Sequence, residues 1–156
     1  MEQMCAAAVA KQSATAVVGH MTAGEDKRCA AEVVAVNLTA TLRLIRTTAP
    51  LIVRAEAGRA VFVTSGVARK PRAYWAAYGA TKAGLEQLAL SWAEEVRNTG
   101  LRVNLFDPGA TATRMRRLAY PGEDQSVLPR PEDVAPRLAA LCLPTEVRHG
   151  VVVGVR

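Results

Sequence analysis

Two short apolar runs rich in β-branched residues bracket a long proline-free stretch, and this pattern restricts the possible folds more than any other feature of the chain. The segment "GRAVFVTSG" (58 to 66) holds Ala60-Val61-Phe62-Val63 between two glycines, as expected of a strand buried on both faces of a parallel sheet. A second such run, "LRVNLFDPG" (101 to 109), is entered through Asn98-Thr99-Gly100 and closed by Pro108-Gly109. Between them, "AAYGATKAGLEQLALSWAEEV" (76 to 96) repeats apolar residues at Leu85, Leu88, Ala89, Trp92 and Val96. That i, i+3, i+4, i+7 rhythm predicts a single amphipathic helix. Strand, helix and strand with short connections form a βαβ unit, whose strands run parallel and whose ligands gather beyond the carboxyl ends of the strands. Ser65, the start of the helix and the Pro108-Gly109 turn all fall at that edge.

The helix carries Tyr78 and Lys82 four positions apart, so the two side chains project side by side. An ammonium about 5 Å from a phenol, at an effective dielectric of about 20, favours the phenolate by roughly 3 kcal/mol, or about two pKa units. Tyr78 is then a usable proton donor or acceptor near neutrality. The same spacing also suits an ordinary surface pair.

Ser65, Tyr78 thirteen residues later, "YGATK" and "VNLFDPGATATRM" together resemble the short-chain dehydrogenase/reductase family. The Tyr-x-x-x-Lys element is weak alone, but the preceding serine and the following Pro-Gly-x-x-x-Thr make a specific set. Asn37, in "VAVNLTATLRLIR", matches the asparagine that the family carries in the helix before the serine strand. The resemblance runs from about Glu25 to Arg156. It implies an NAD- or NADP-dependent oxidoreductase acting on a small-molecule carbonyl or alcohol substrate. Tyr78 would be the acid or base, Lys82 would tune it and bind the nicotinamide ribose, and Ser65 would donate to the substrate oxygen. Asn37 would hold a water that relays protons to Lys82, and Pro108, Gly109, Thr111 and Thr113 would contact the nicotinamide end of the cofactor.

The departure from the family pattern is at the start. Members open with a strand and a Gly-x-x-x-Gly-x-Gly turn that cradles the pyrophosphate at a helix N-terminus. The nearest spacing here, Gly150 to Gly154, lies at the other end of the chain and reads as a closing strand. The residue that would sit on the adenosine ribose is missing as well, which leaves NAD and NADP both open. The expected fold is therefore α/β: the C-terminal part of a Rossmann-like doubly wound parallel sheet, without its glycine-rich N-terminal half. Residues 1 to 24 form a poorly defined N-terminal segment, in which Ser13 to Gly19 is a candidate for a worn strand end, and residues 25 to 156 form the catalytic part.

Composition fits one globular domain: 156 residues, half of them apolar and few aromatic. Cys5, Cys29 and Cys142 are widely spaced, which suits thiols in a reducing cytoplasm. His20 and His149 lack ligand spacing, so no metal is expected. No run approaches the length of a membrane span, and the N-terminus lacks the basic start of an export signal. The net charge of +6 gathers in Arg69-Lys70-Arg72 and Arg114-Arg116-Arg117, both flanking the site edge, where they would attract an anionic substrate or cofactor or simply be solvated. No basic run is interleaved with aromatics, so nucleic acid is not an expected partner.

Elsewhere, residues 26 to 54 read as a helix that kinks or ends near Pro50. Residues 111 to 130 read as a short helical piece and a mobile loop, and Pro131 to Leu143 as a helix opened by proline and two acids. Residues 150 to 155 read as a final strand. A sheet without its first half presents an uncovered edge, which predicts a homo-oligomer or poor solubility. The alternative to an enzyme is a truncated, non-catalytic family fragment acting as an interaction module.

Overall fold

The computed structural model describes residues 26–155, and the readings made for residues 1 to 24, with Cys5 and His20, lie outside the described residues. Helix α1 (Asp26–Val34) passes through a π-helical turn (Ala35–Thr39) into α2 (Ala40–Ile52). Strand β1 (Arg59–Val63) leads through a 3-10 turn (Gly66–Ala68) to α3 (Ala76–Val96) and then to β2 (Arg102–Asp107). Helix α4 (Arg114–Ala119), a 3-10 turn (Gln125–Val127), α5 (Pro131–Ala140) and β3 (Val152–Gly154) complete the chain. Pro50 lies inside α2, and the helix ends two residues beyond it at Ile52, near the proline as expected.

The three strands form one parallel sheet in the order β1-β2-β3, with Val63 opposite Phe106 and Phe106 opposite Val153. Alternation along the strands divides the core between two faces, since successive side chains point to opposite sides. Ala60, Val103 and Trp92 pack with Ile45 and Ile52 on the α2–α3 face, extended by Leu85, Ala89 and Leu105. Phe106, Val134 and Leu141 pack on the α5 face with Val61, Leu138 and Val153. Helices on both faces of a parallel sheet make the doubly wound α/β arrangement.

Two buried polar residues tie the layers. Asn104 is fully buried; its amide donates to Arg148 O and accepts from Val151 N, fixing where the chain enters β3. Arg59 is also buried, and its guanidinium donates to the carbonyls of Gly58, Gly100, Leu143 and Pro144. Gly58 is required by close approach, because a Cβ there would lie 2.5 Å from Ile52 O. At the head of α5, the Asp133 carboxylate accepts from the Arg130 backbone N–H, with Pro131 at the first helical position. No described helix is long and apolar enough to cross a membrane.

Candidate active site

The carboxyl ends of β1 and β2 lie side by side because the strands are parallel, and they bring Ser65 and Pro108-Gly109 to one edge. Helix α3 begins against the same edge. Its buried residues are Tyr78, Thr81, Lys82, Leu85, Glu86, Ala89, Trp92, Ala93 and Val96, one continuous stripe of helical period. Tyr78 and Lys82 therefore belong to the packed face of the helix and are not a surface pair.

The electrostatics differ from the sequence expectation. Burial pushes the Tyr78 hydroxyl above the usual phenol range; the neighbouring Ser65 hydroxyl opposes this, and the Asp107 carboxylate adds to it. Burial also drives Lys82 down to about 8. The Lys82 ammonium lies 5.7 Å from the Tyr78 ring centroid and donates to Val63 O at 3.0 Å. Desolvation thus outweighs the depression expected from spacing alone, and Tyr78 is a protonated phenol near neutrality.

Asn37 is buried within the π-helical turn, a helical defect that re-aims side chains. Its side-chain amide donates to Thr81 Oγ1 at 3.1 Å, while its backbone carbonyl accepts from Thr41 Oγ1 at 2.8 Å. It reaches the residue beside Lys82 without touching Tyr78 in any recorded bond. The two helices approach closely here: a Cβ on Gly84 would meet Leu38 Cδ1 at 2.9 Å.

Gly109 has φ +65°, a conformation open to glycine, and a Cβ there would also lie 3.0 Å from Val155 Cγ2. Thr111 donates to Pro108 O, and Thr113 caps α4 by accepting from Arg116 N. These residues, Ser65, Tyr78 and Lys82 line one cavity of about 600 Å³, bounded on its far side by Met115, Tyr120 and Leu138. Asn37 is not among its lining residues.

Several neighbours of this cavity escaped the sequence reading. Trp75 meets Tyr78 edge-on at 5.6 Å and stacks on Tyr120 at 5.7 Å, and the Arg116 guanidinium lies 3.8 Å over the Tyr120 ring. Arg116 also forms two bonds to Glu123, and Arg72 donates to the Tyr120 hydroxyl. Arg69 pairs with both Glu86 and Asp107. Arg69, Arg72 and Arg116 of the two basic clusters are thus engaged within the protein, while Lys70, Arg114 and Arg117 are exposed. Glu86 left one legible signal: it lies four residues beyond Lys82 on the buried stripe, where a carboxylate requires a partner.

The residues present fit half of a dinucleotide. The turn at Pro108-Gly109 and the cavity beside Tyr78 have the size and backbone approach that a nicotinamide and a small substrate require. Among the described residues, no glycine-rich turn precedes a helix to hold a pyrophosphate. No group of three or more histidine, cysteine or acidic side chains among them could hold a metal ion.

The family model for short chain dehydrogenases matches residues 7–124, beginning well before Glu25, where the motif resemblance starts. An uncharacterized oxidoreductase of Escherichia coli K12, YciK, is 41% identical over 105 residues, which are 67% of this chain and 41% of that protein. The 2,3-dihydro-2,3-dihydroxybenzoate dehydrogenase of the same organism is 39% identical over 90 residues, 58% of this chain and 36% of that protein. Among solved structures, a short chain dehydrogenase of Salmonella enterica serovar Typhi superposes with a TM-score of 0.82 at 34% identity, covering 89% of this chain and 57% of that one. One from Escherichia coli CFT073, complexed with NADPH, gives 0.80 at 35% identity, with 88% and 57% covered. The chain thus spans about two fifths of the length of these relatives and somewhat over half of the solved chains. With its sheet, its site edge and its sequence in agreement, the chain belongs to the short-chain dehydrogenase family.

Proposed function

We propose that the described residues form the chemical end of an NAD(P)-dependent oxidoreductase site, with Tyr78 as the acid or base between cofactor and a carbonyl or alcohol substrate. The observation that carries this reading is the convergence of Ser65, Tyr78 and Lys82 on one cavity at the carboxyl edge of the parallel strands. Residues 25 to 156 act as the catalytic part.

When bound, the nicotinamide supplies or accepts the hydride. Tyr78 gives its phenol proton to the carbonyl oxygen as that oxygen gains negative charge. Its protonated state suits the direction of reduction. Ser65, beside the Tyr78 hydroxyl, donates a second hydrogen bond to the same oxygen, an oxyanion-type role. Lys82, with a pKa near 8, still carries its charge at pH 7 and stabilises the phenolate left behind. Asn37, linked to α3 through Thr81 beside Lys82, would hold the water that returns a proton to Lys82. Lys82, Pro108, Gly109, Thr111 and Thr113 would hold the nicotinamide end. Complexes of similar chains with NADPH and with NADP support a nicotinamide cofactor and favour the phosphorylated form as the first to try.

A homo-oligomer fits the half-exposed apolar residues Val36 and Leu44, with Leu51 beyond them, along the outer side of the first helices. The reducing cytoplasm remains the proposed compartment.

The test is NADPH and NADH consumption against a panel of aldehydes and ketones, with nicotinamide fluorescence as the binding readout. Saturable binding, with turnover that Tyr78→Phe abolishes while the circular dichroism spectrum is unchanged, is the expected result. Turnover that survives Tyr78→Phe rejects Tyr78 as the acid. Well-folded chain that binds neither cofactor up to millimolar concentration would instead identify a non-catalytic interaction module.

A further inference from the structure

Arg69, in the segment after Ser65, touches the two other segments of the site edge. It stands at the end of the 3-10 turn that follows Ser65. One guanidinium nitrogen pairs with Glu86 on α3, and the other lies 2.5 Å from Asp107 Oδ2 at the end of β2. Both carboxylates have further tasks. Glu86 accepts from Thr64 Oγ1 at 2.6 Å, next to Ser65, and Asp107 Oδ1 accepts from the Gly109 backbone N–H at 3.0 Å. Asp107 also lies near enough to Gly66 that a Cβ there would come within 3.6 Å of its Oδ2.

Bringing two carboxylates to one edge of a partly buried site is costly unless a cation lies between them. A fork-shaped guanidinium fits this task, since its separate N–H groups can engage two acceptors on different elements, which an ammonium does less well. We propose that Arg69 is a positioning residue of the site: by clamping Glu86 and Asp107 it holds the serine turn, the tyrosine helix and the Pro108-Gly109 turn together, and it offsets part of the charge that Asp107 projects onto the Tyr78 hydroxyl. The proposal rests on the reading of Tyr78 as acid or base only for its functional consequence; the geometry and its test do not depend on turnover.

The other groups facing Tyr78 are accounted for. Ser65 faces it from the turn after β1, Lys82 from its own helix, and Asp107 from the end of β2. Trp75 covers one edge of its ring, and beyond Trp75 stands Tyr120, whose hydroxyl accepts from Arg72 and whose ring lies under Arg116. Lys70 lines the same cavity at its exposed rim.

The experiment uses the full chain with its three tyrosines labelled at 13Cζ, Tyr78 being assigned by Tyr78→Phe. The ring shift is titrated with pH in the parent, in Arg69→Gln and in the double variant Arg69→Gln/Asp107→Asn. Arg69→Gln is expected to raise the Tyr78 midpoint by about one pH unit, as an uncompensated charge several ångströms away does at an effective dielectric of about 20. The double variant is expected to return it to the parental value or below. An unchanged midpoint in Arg69→Gln overturns the proposal. So does a double variant that stays as high as the single one, because displacement alone would then account for the change. Nitration of Tyr78 at pH 8, read by peptide mass, reports the phenolate fraction without alkali and decides the question for any variant that unfolds at high pH. A chain in which these shifts occur but no cofactor binds would reject the enzymatic reading and leave the Arg69 clamp standing.

Discussion

Lys82 Nζ donates to the carbonyl oxygen of Val63, so the ammonium of α3 is tied to the last residue of β1. The bond explains how a charged side chain that is 1% exposed is tolerated, and burial still lowers its pKa from 10.5 to about 8. The unfolded chain therefore binds more protons than the folded one between pH 8 and 10.5, and folding stability from this group rises with pH across that window. Below pH 8 its full cost is present. Lys82→Met is expected to be more stable than the parent at pH 7 by about 1 to 2 kcal/mol, less than the roughly 3 kcal/mol of the shift because the Val63 bond is lost. Urea unfolding at pH 7, 9 and 10 should show this advantage shrinking as pH rises. An advantage that stays constant over the range would show that the lysine carries no charge penalty.

Removing the Ser65 hydroxyl leaves burial of Tyr78 with less opposition. Ser65→Ala is expected to move the Tyr78 titration still higher and, where turnover is present, to lower kcat by about 10- to 100-fold with KM little changed. The 13Cζ titration and steady-state kinetics read the two effects separately. A Tyr78 midpoint that falls in Ser65→Ala would contradict the hydrogen bond.

Gly58 offers a test of the fold away from the chemistry. A Cβ at this position would meet the backbone oxygen of Ile52, and backbone yields less readily than a side-chain tip. Gly58→Ala should cost about 2 kcal/mol or more, visible as an earlier urea midpoint with an unchanged slope. A midpoint equal to that of the parent would mean that the turn between α2 and β1 relaxes freely.

Arg59 has no carboxylate partner among its recorded bonds; four main-chain carbonyls receive its guanidinium. Arg59→Met keeps the stem and removes the donors, so it should destabilise by about 2 kcal/mol through the orphaned acceptors. Thermal unfolding followed by circular dichroism measures it, and a variant as stable as the parent would show that solvent satisfies those carbonyls equally well.

The sequence made some of this legible and concealed the rest for physical reasons. Helix α3 spans the residues that its periodicity predicts, and β1 and β2 fall within the runs that mark them, because burial imposes a period that a single chain displays. The final strand is shorter than expected, at Val152–Gly154, and α5 stops at Ala140 before Leu143. The π-helical turn around Asn37 left no trace, since its residues do not differ in type from the flanking helix. The pKa of Tyr78 departs from the expectation for another reason: spacing gives the distance to Lys82, while the depth of burial that outweighs it is a property of the packed structure. Arg69 is by sequence one member of a basic cluster, yet its partners lie 17 and 38 residues away, and no local pattern connects them.

The stripe along α3 changes character midway. Its first turns bury Tyr78, Thr81 and Lys82, Leu85 and Glu86 stand at the change, and its later turns bury only Ala89, Trp92, Ala93 and Val96. Adhesion to the sheet comes mainly from the second group, because apolar area and not buried charge drives packing. Amide protons from Ala89 to Val96 should accordingly exchange with deuterium only when the whole domain opens, whereas those near Tyr78 should exchange through smaller local openings. The helix works as a tool held by its handle. Chemistry at the working end can be altered over evolutionary time while the grip, built from different residues, keeps the fold in place.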